Sequence, residues 1–237
     1  EDIIEIICKQ PATARFVSRH LYNFFVADDT QVPSWQDTPP RDPEAIKTLE
    51  DEYFRSGYNI GSMLRVLFNS DFFKTALFAK VKSPAEMVAS TLKLSGHFDR
   101  PKPGLYELSK EIRYMGQDLL NPPTVEGWHT GQEWIDGGTL NERVNFAVNQ
   151  FDDLTTPGFQ DILKRLGEKV ESNDLVDKCL DLMGPIEVGD ETHAALDNYA
   201  DAVGDIDLST DKLRTENAAK VGRMIQLIVS TREYQFA

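Results

Sequence analysis

Residues 121–143, NPPTVEGWHTGQEWIDGGTLNER, hold the densest set of chemically able side chains in the chain. Trp128 and Trp134 offer flat faces to a sugar or an aliphatic ligand. Glu126, Glu133 and Asp136 are residue types that bind a hard cation or serve as a general acid and base pair. His129 and Glu133 are four apart, so a helical turn there would put both on one face. The same segment can instead be a stiff loop. Pro122 and Pro123 restrict its beginning, and Gly127, Gly131, Gly137 and Gly138 permit tight turns. Read that way, Trp128 and Trp134 are structural, filling a gap in the core with their indole N–H groups bonded to backbone. The acids then cap or complement the helix that follows. The structural loop is the main expectation, with Glu126, Trp128, His129, Glu133, Trp134 and Asp136 as the binding alternative.

The surrounding elements read as helices. Pro11 opens a helix whose apolar residues Val17, Leu21, Phe24 and Phe25 share helical spacing. A proline- and aspartate-rich connection, ADDTQVPSWQDTPPRDPEA, follows it. A helix resumes near Pro43 and runs to Gly57, and Asn59 caps the next, with Ile60, Met63, Leu64, Leu67 and Phe68 on its apolar stripe. Ser83 and Glu86 form a capping box, and Gly96 ends that helix. Leu105, Leu108, Ile112, Met115 and Leu119 predict one helix face broken only at Asn121, and Thr139 with Glu142 suggests a second capping box. Further helices are expected around 159–170, 175–183 and 192–203. A last one, after Ser209, should bury Leu213, Val221, Met224, Ile225 and Ile228. No segment alternates like a strand. The sequence therefore predicts an all-α, multi-helix orthogonal bundle.

Charge divides the chain. The 39 Asp and Glu against 25 Lys and Arg give a net charge of -14. Residues 152–237 carry 18 acids and 9 bases, a net of -9, against 21 and 16, a net of -5, in residues 1–151. We therefore expect a helical core over 1–151 and an acidic helical extension over 152–237 packed on it. Such a surface repels phosphate backbones, so no nucleic acid is expected as a partner. No apolar run reaches the length of a membrane span. Cys8 and Cys179 are two buried thiols or one long-range bridge. Among the other histidines, His20 reads as a helix contact, His97 as part of a helix stop and His193 as exposed. Arg15 is expected to pair with an acid on a neighbouring helix. No P-loop, G-x-S-x-G, H-E-x-x-H or G-x-G-x-x-G motif is present, and no metal or cofactor is expected.

Five segments in order, PATARFVSRHLYNFFV, FRSGYNIGSMLRVLFNSDFF, VKSPAEMVAST, MGQDLLNPPTVEGWHTGQEWI and LNERVNFA, resemble the domain-of-unknown-function 1800 family. The closing LIVSTREYQFA resembles that family's usual ending. The resemblance covers roughly residues 9–150 and is to the C-terminal half of longer bacterial proteins. It implies a missing N-terminal half of the same protein as a docking partner and an exported, sulfatase-like gene neighbour as another. It also implies an extracytoplasmic location. Members often carry His where this chain has Gln10, so a histidine metal ligand at that position is not carried over. Two functions follow as expectations. The first is a structural or protein-interaction module of an exported bacterial protein. The second is a hydrolase or lyase on extracellular polymers such as polysaccharides, with the Trp128–Asp136 loop as its binding site.

Overall fold

The computed structural model describes residues 2–98, 100–184 and 186–237. Among the described residues it is all-α apart from one two-stranded antiparallel ladder, and the chain packs as two units. One unit runs through Val81 and takes in Thr130–Gln132 and Ala237; the other comprises Lys82–His129 and Glu133–Phe236.

The first unit contains α1 (Ile3–Cys8), α2 (Pro11–Phe25), α3 (Pro43–Arg55), α4 (Ile60–Asn69) and the short α5 (Asp71–Lys74). Its helix starts are written in the sequence. Pro11 and Pro43 sit in first turns, and the Asp42 and Asn59 side chains accept from the backbone N–H of Ala45 and Ser62. The core gathers Ala14, Tyr22, Ile46, Leu49, Tyr53, Met63 and Leu67. The buried face of α2 is Ala14, Ser18, Arg19 and Tyr22, which leaves Phe24 exposed. Apolar spacing alone missed this because an arginine occupies the buried face, held by partners on the following loop.

The second unit contains α6 (Pro84–Ser95), α7 (Glu107–Tyr114), α8 (Gly137–Asn149), α9 (Pro157–Leu166), β1 (Lys169–Val170), α10 (Ser172–Leu182), α11 (Asp190–Val203), β2 (Ile206–Asp207) and α12 (Asp211–Val229). Ser83 and Glu86 close the capping box at α6, and Gly96 ends that helix at φ 66°. Gly158, at the start of α9, lies against the end of α6; a Cβ there would sit 2.0 Å from the Leu94 carbonyl oxygen. Met87, Met115, Phe146, Phe159, Leu175, Val221 and Ile225 belong to one core. The expected boundary after Phe151 thus falls inside this unit, whose core draws on both sides of it. Leu213 is half-buried, whereas Val221, Met224, Ile225 and Ile228 of α12 are buried.

Several distant segments meet at the first turn of α6. Arg143 is wholly buried; its Nε donates to Gln235 Oε1 at 2.8 Å and its Nη2 to the Lys82 carbonyl at 2.6 Å. Lys82 Nζ donates to the Tyr234 carbonyl at 2.9 Å and lies 4.3 Å from that residue's ring centre. Tyr234 Oη and Thr91 Oγ1 are 3.0 Å apart, and Gln117 Oε1 accepts from Ala85 N at 2.9 Å. Burial pushes the Lys82 ammonium down to about 8, and the Arg143 charge beside it acts in the same direction. Burial brings the Arg143 guanidinium to about 10. Tyr234 and Gln235 of the closing REYQ segment are therefore part of the interior. Cys8 and Cys179 are both free thiols, and burial raises the latter to about 12.

Candidate functional site

The helix α7 ends at Tyr114 rather than reaching Asn121. Gly116, at φ 101°, takes a backbone conformation that side chains with a Cβ avoid, so the chain leaves the helical path there. Leu119 and Leu120, read from the sequence as part of a helix or its end, lie instead on a loop. Its base is tied where Trp128 Nε1 donates to the Asp118 carbonyl at 2.9 Å. Its tip closes where Gly127 N donates to the Thr124 carbonyl at 3.1 Å and Thr124 Oγ1 to the Gly127 carbonyl at 3.2 Å. The side chains carried outward are apolar: Leu119 is 42% exposed, Leu120 95%, and Val125 fully exposed. Leu120 also has φ 63°, a left-handed conformation that costs a branched residue roughly 1–2 kcal/mol.

The sequence-marked residues take separate places around this loop. Glu126 is exposed near the tip, its backbone N–H donating to Thr124 Oγ1 at 3.2 Å. His129 and Glu133 do meet, Nδ1 to Oε2 at 3.2 Å, both exposed. Trp134, on a 3-10 turn from Gly131 to Trp134, is 5% exposed, while Trp128 is half-buried. Trp134 is thus the core side chain of the pair. Asp136 is the N-cap of α8: Oδ1 accepts from Gly138 N at 2.7 Å and Thr139 N at 2.8 Å. Thr139 Oγ1 in turn accepts from Asp136 N at 2.9 Å, which makes the capping box Asp136 with Thr139 rather than Thr139 with Glu142. Two glycines inside the helix start hid this, because they resemble a turn. The bonds from Thr139 and Gly138 hold the Asp136 carboxyl below its ordinary value of 3.8.

Between them, α7 and α8 border an acidic groove of about 450 Å³ that includes Glu107, Glu111, Glu142, Asn145 and Asn149. A neighbouring depression shares Glu142 and adds Tyr114 and Asp136. Desolvation, followed by the charges of Glu142 and Glu107, raises the Glu111 carboxyl. Among the described residues, no group of three His, Cys, Asp or Glu side chains is placed to hold a metal ion, and no helix is long and apolar enough to cross a membrane. The loop thus carries exposed apolar side chains on a stretch that also holds two acids, Asp118 and Glu126. The sequence reading missed Leu120 and Val125, because a leucine next to a helical stripe looks like its continuation.

In the first unit, Arg15 donates from Nε to Glu50 Oε1 at 2.9 Å, joining α2 to α3. His20 stacks between neighbours, its ring centre 4.4 Å from Phe16 and 4.7 Å from Trp35; burial lowers its imidazole below 6.5. Trp35 carries no local signal in the sequence, yet it lines a cavity.

Comparison with known proteins brings one result. The family model described as protein of unknown function (DUF1800) matches residues 1–236. No curated protein and no solved structure matches the chain. The match corrects the expected extent of the resemblance, which is not confined to residues 9–150 or to a C-terminal half. The partners named on that footing, a missing N-terminal half and a sulfatase-like neighbour, lose their ground with it. Running as it does through the helices of both units, the match shows that this chain belongs to the DUF1800 family of proteins of unknown function.

Proposed function

We propose that the second unit is a protein-interaction module of an exported bacterial protein, and that the loop 118–128 is its docking element. The observation that carries this reading is Leu120. A branched apolar side chain that is 95% exposed contributes little burial, and its φ of 63° strains the backbone. Stability gives no reason for leucine at such a position, whereas a pocket on a partner does. The tip is pre-shaped by the Trp128 and Thr124 bonds, which lowers the ordering cost of association. The loop itself carries two acids, Asp118 and Glu126, and no Lys or Arg, so the complementary partner is a protein with an apolar pocket rimmed by Lys and Arg. No observation favours hydrolysis here, since Asp136 serves as a cap and Glu133 pairs with His129. The extracytoplasmic setting rests on the family resemblance, and fractionation of cells making the full-length protein tests it.

The docking element is tested with a photo-crosslinking residue in place of Val125, identification of the captured protein, and titration of that purified protein against wild type and Leu120→Asn. The expected result is one dominant adduct, an affinity that falls with added salt, and a loss of about tenfold in the variant, as for a buried apolar anchor. Unchanged affinity in Leu120→Asn overturns the reading, and so does the absence of any specific adduct.

A further inference from the structure

Within the first unit, a buried arginine shapes a loop around a concavity. Arg19 is 1% exposed, and its Nε donates to Asp29 Oδ2 at 2.7 Å. Its Nη1 donates to the Thr38 carbonyl at 2.9 Å and the Trp35 carbonyl at 3.3 Å. Its Nη2 reaches Thr30 Oγ1 at 2.9 Å and the Pro39 carbonyl at 3.3 Å. Trp35 is fixed in turn: its Nε1 donates to the Thr30 carbonyl at 2.6 Å, and the Arg19 guanidinium lies 4.7 Å from its ring centre. One side chain thus holds the segment from Asp29 to Pro39 in a single shape.

That segment, with α2 and α3, borders an open cavity of about 390 Å³. Its apolar lining comes from Trp35, Pro39, Pro40, Pro43 and Ile46. Its polar lining comes from Arg15, Glu50, Gln36, Asp37 and Lys47. The charges there are largely spent on one another. Arg15 pairs with Glu50 at 2.9 Å, Lys47 with Asp51 at 2.9 Å, and Arg19 with Asp29. In a chain of net charge -14, such a balanced cavity favours neither an anion nor a cation. A small set of placed polar groups over an apolar floor is the usual make-up of a small-ligand site.

A neutral ligand that answers both linings needs an apolar face and, around its edge, groups that donate as well as accept. A pyranose ring does so, with C–H faces for the tryptophan and proline floor and hydroxyls that donate to Glu50 and Asp37 while accepting from Arg15 and Gln36. A proline-rich peptide suits the floor less completely, since each proline lacks an N–H and leaves the carboxylates without a donor. We propose that this cavity is a binding subsite for a neutral oligosaccharide, with Trp35, Pro39, Pro40 and Pro43 as its apolar floor and Arg15, Glu50 and Asp37 as its hydroxyl partners. It binds without cleaving, and it goes beyond the docking element of the second unit.

The test is titration of the whole chain with cellohexaose, maltohexaose and the N-acetylglucosamine hexamer, followed by tryptophan emission and by the indole N–H signals in NMR. The expected result is saturable binding of at least one of these that shifts the Trp35 indole signal. Trp35→Ala should weaken it about tenfold or more, and Asp37→Ala should weaken it with the melting temperature kept. Leu120→Asn should bind the sugar like wild type, so the outcome is independent of the docking element. No binding by any of the three at millimolar concentration overturns the proposal. So does a shift of Trp128 or Trp134 instead of Trp35, or tighter binding of an acidic oligosaccharide or a proline-rich peptide.

Discussion

Two loops in this protein solve opposite problems with different bonds. The segment from Asp29 to Pro39 in the first unit is concave, and a buried guanidinium paired with a buried carboxylate holds it. The loop 118–128 in the second unit is convex, and neutral hydrogen bonds from Trp128 and Thr124 hold it. Fixing a chain around a space calls for one strong, many-handed donor, because the interior offers few other partners. A projecting loop can rely on weaker bonds, because water satisfies whatever its tip leaves unpaired. The contrast also separates ligand classes. A cavity suits a small molecule, whereas an apolar projection suits a pocket on another protein.

The largest expected effect lies in the concave loop. Arg19→Met leaves Asp29 buried with no charge partner and releases the carbonyls of Trp35, Thr38 and Pro39, so it should cost about 3–5 kcal/mol in denaturant unfolding. A cost below about 1 kcal/mol would show that the ion pair does not hold the segment. The second unit should respond unequally to loss of its two tryptophans. Trp134→Ala empties a core position and should cost about 3–5 kcal/mol. Trp128→Phe removes a single hydrogen bond to Asp118 and should cost about 1 kcal/mol. The reverse order in melting experiments would move the core to the base of the loop.

A smaller, pH-dependent effect distinguishes a cap from a catalytic acid. Bonds from Thr139 and Gly138 hold the folded Asp136 carboxyl below 3.8, so its stabilising contribution is fully present above 3.8. That contribution is lost as pH falls through the lower folded value. The melting temperature of Asp136→Ala should therefore lie below wild type at neutral pH, and the gap should close on acidification below 3.8. A gap that widens in acid would contradict the cap.

The two loops were unequally legible in the sequence. Helix starts at Pro11, Pro43, Asn59 and Ser83 could be read directly, because proline and short polar caps act on the chain locally. The box at Ser83 and Glu86 is complete within four residues. Arg19 could not be read, since its partners lie 10 to 20 positions away and nothing local separates a buried arginine from a solvated one. Trp35 was hidden by the same long-range fixing. The stretch 121–143 stands out by composition, yet the exposed large apolar residues there are Val125 and, just before it, Leu120, whose types suggest a core. Apolar spacing reports a helix face only while the helix continues, and Gly116 ends this one before Leu119.

Leu120 gives the most direct test of the account. Asn tolerates the left-handed backbone better than leucine and adds no exposed apolar surface, so Leu120→Asn should be as stable as wild type or more stable by about 0.5–1 kcal/mol. The same variant should bind the cross-linked partner about tenfold more weakly, because the anchor is gone. Paired measurement of melting temperature and partner affinity on this one variant decides the matter. The account predicts that stability holds or rises while affinity falls. A fall in melting temperature with affinity unchanged would place Leu120 in the packing of the fold and contradict it.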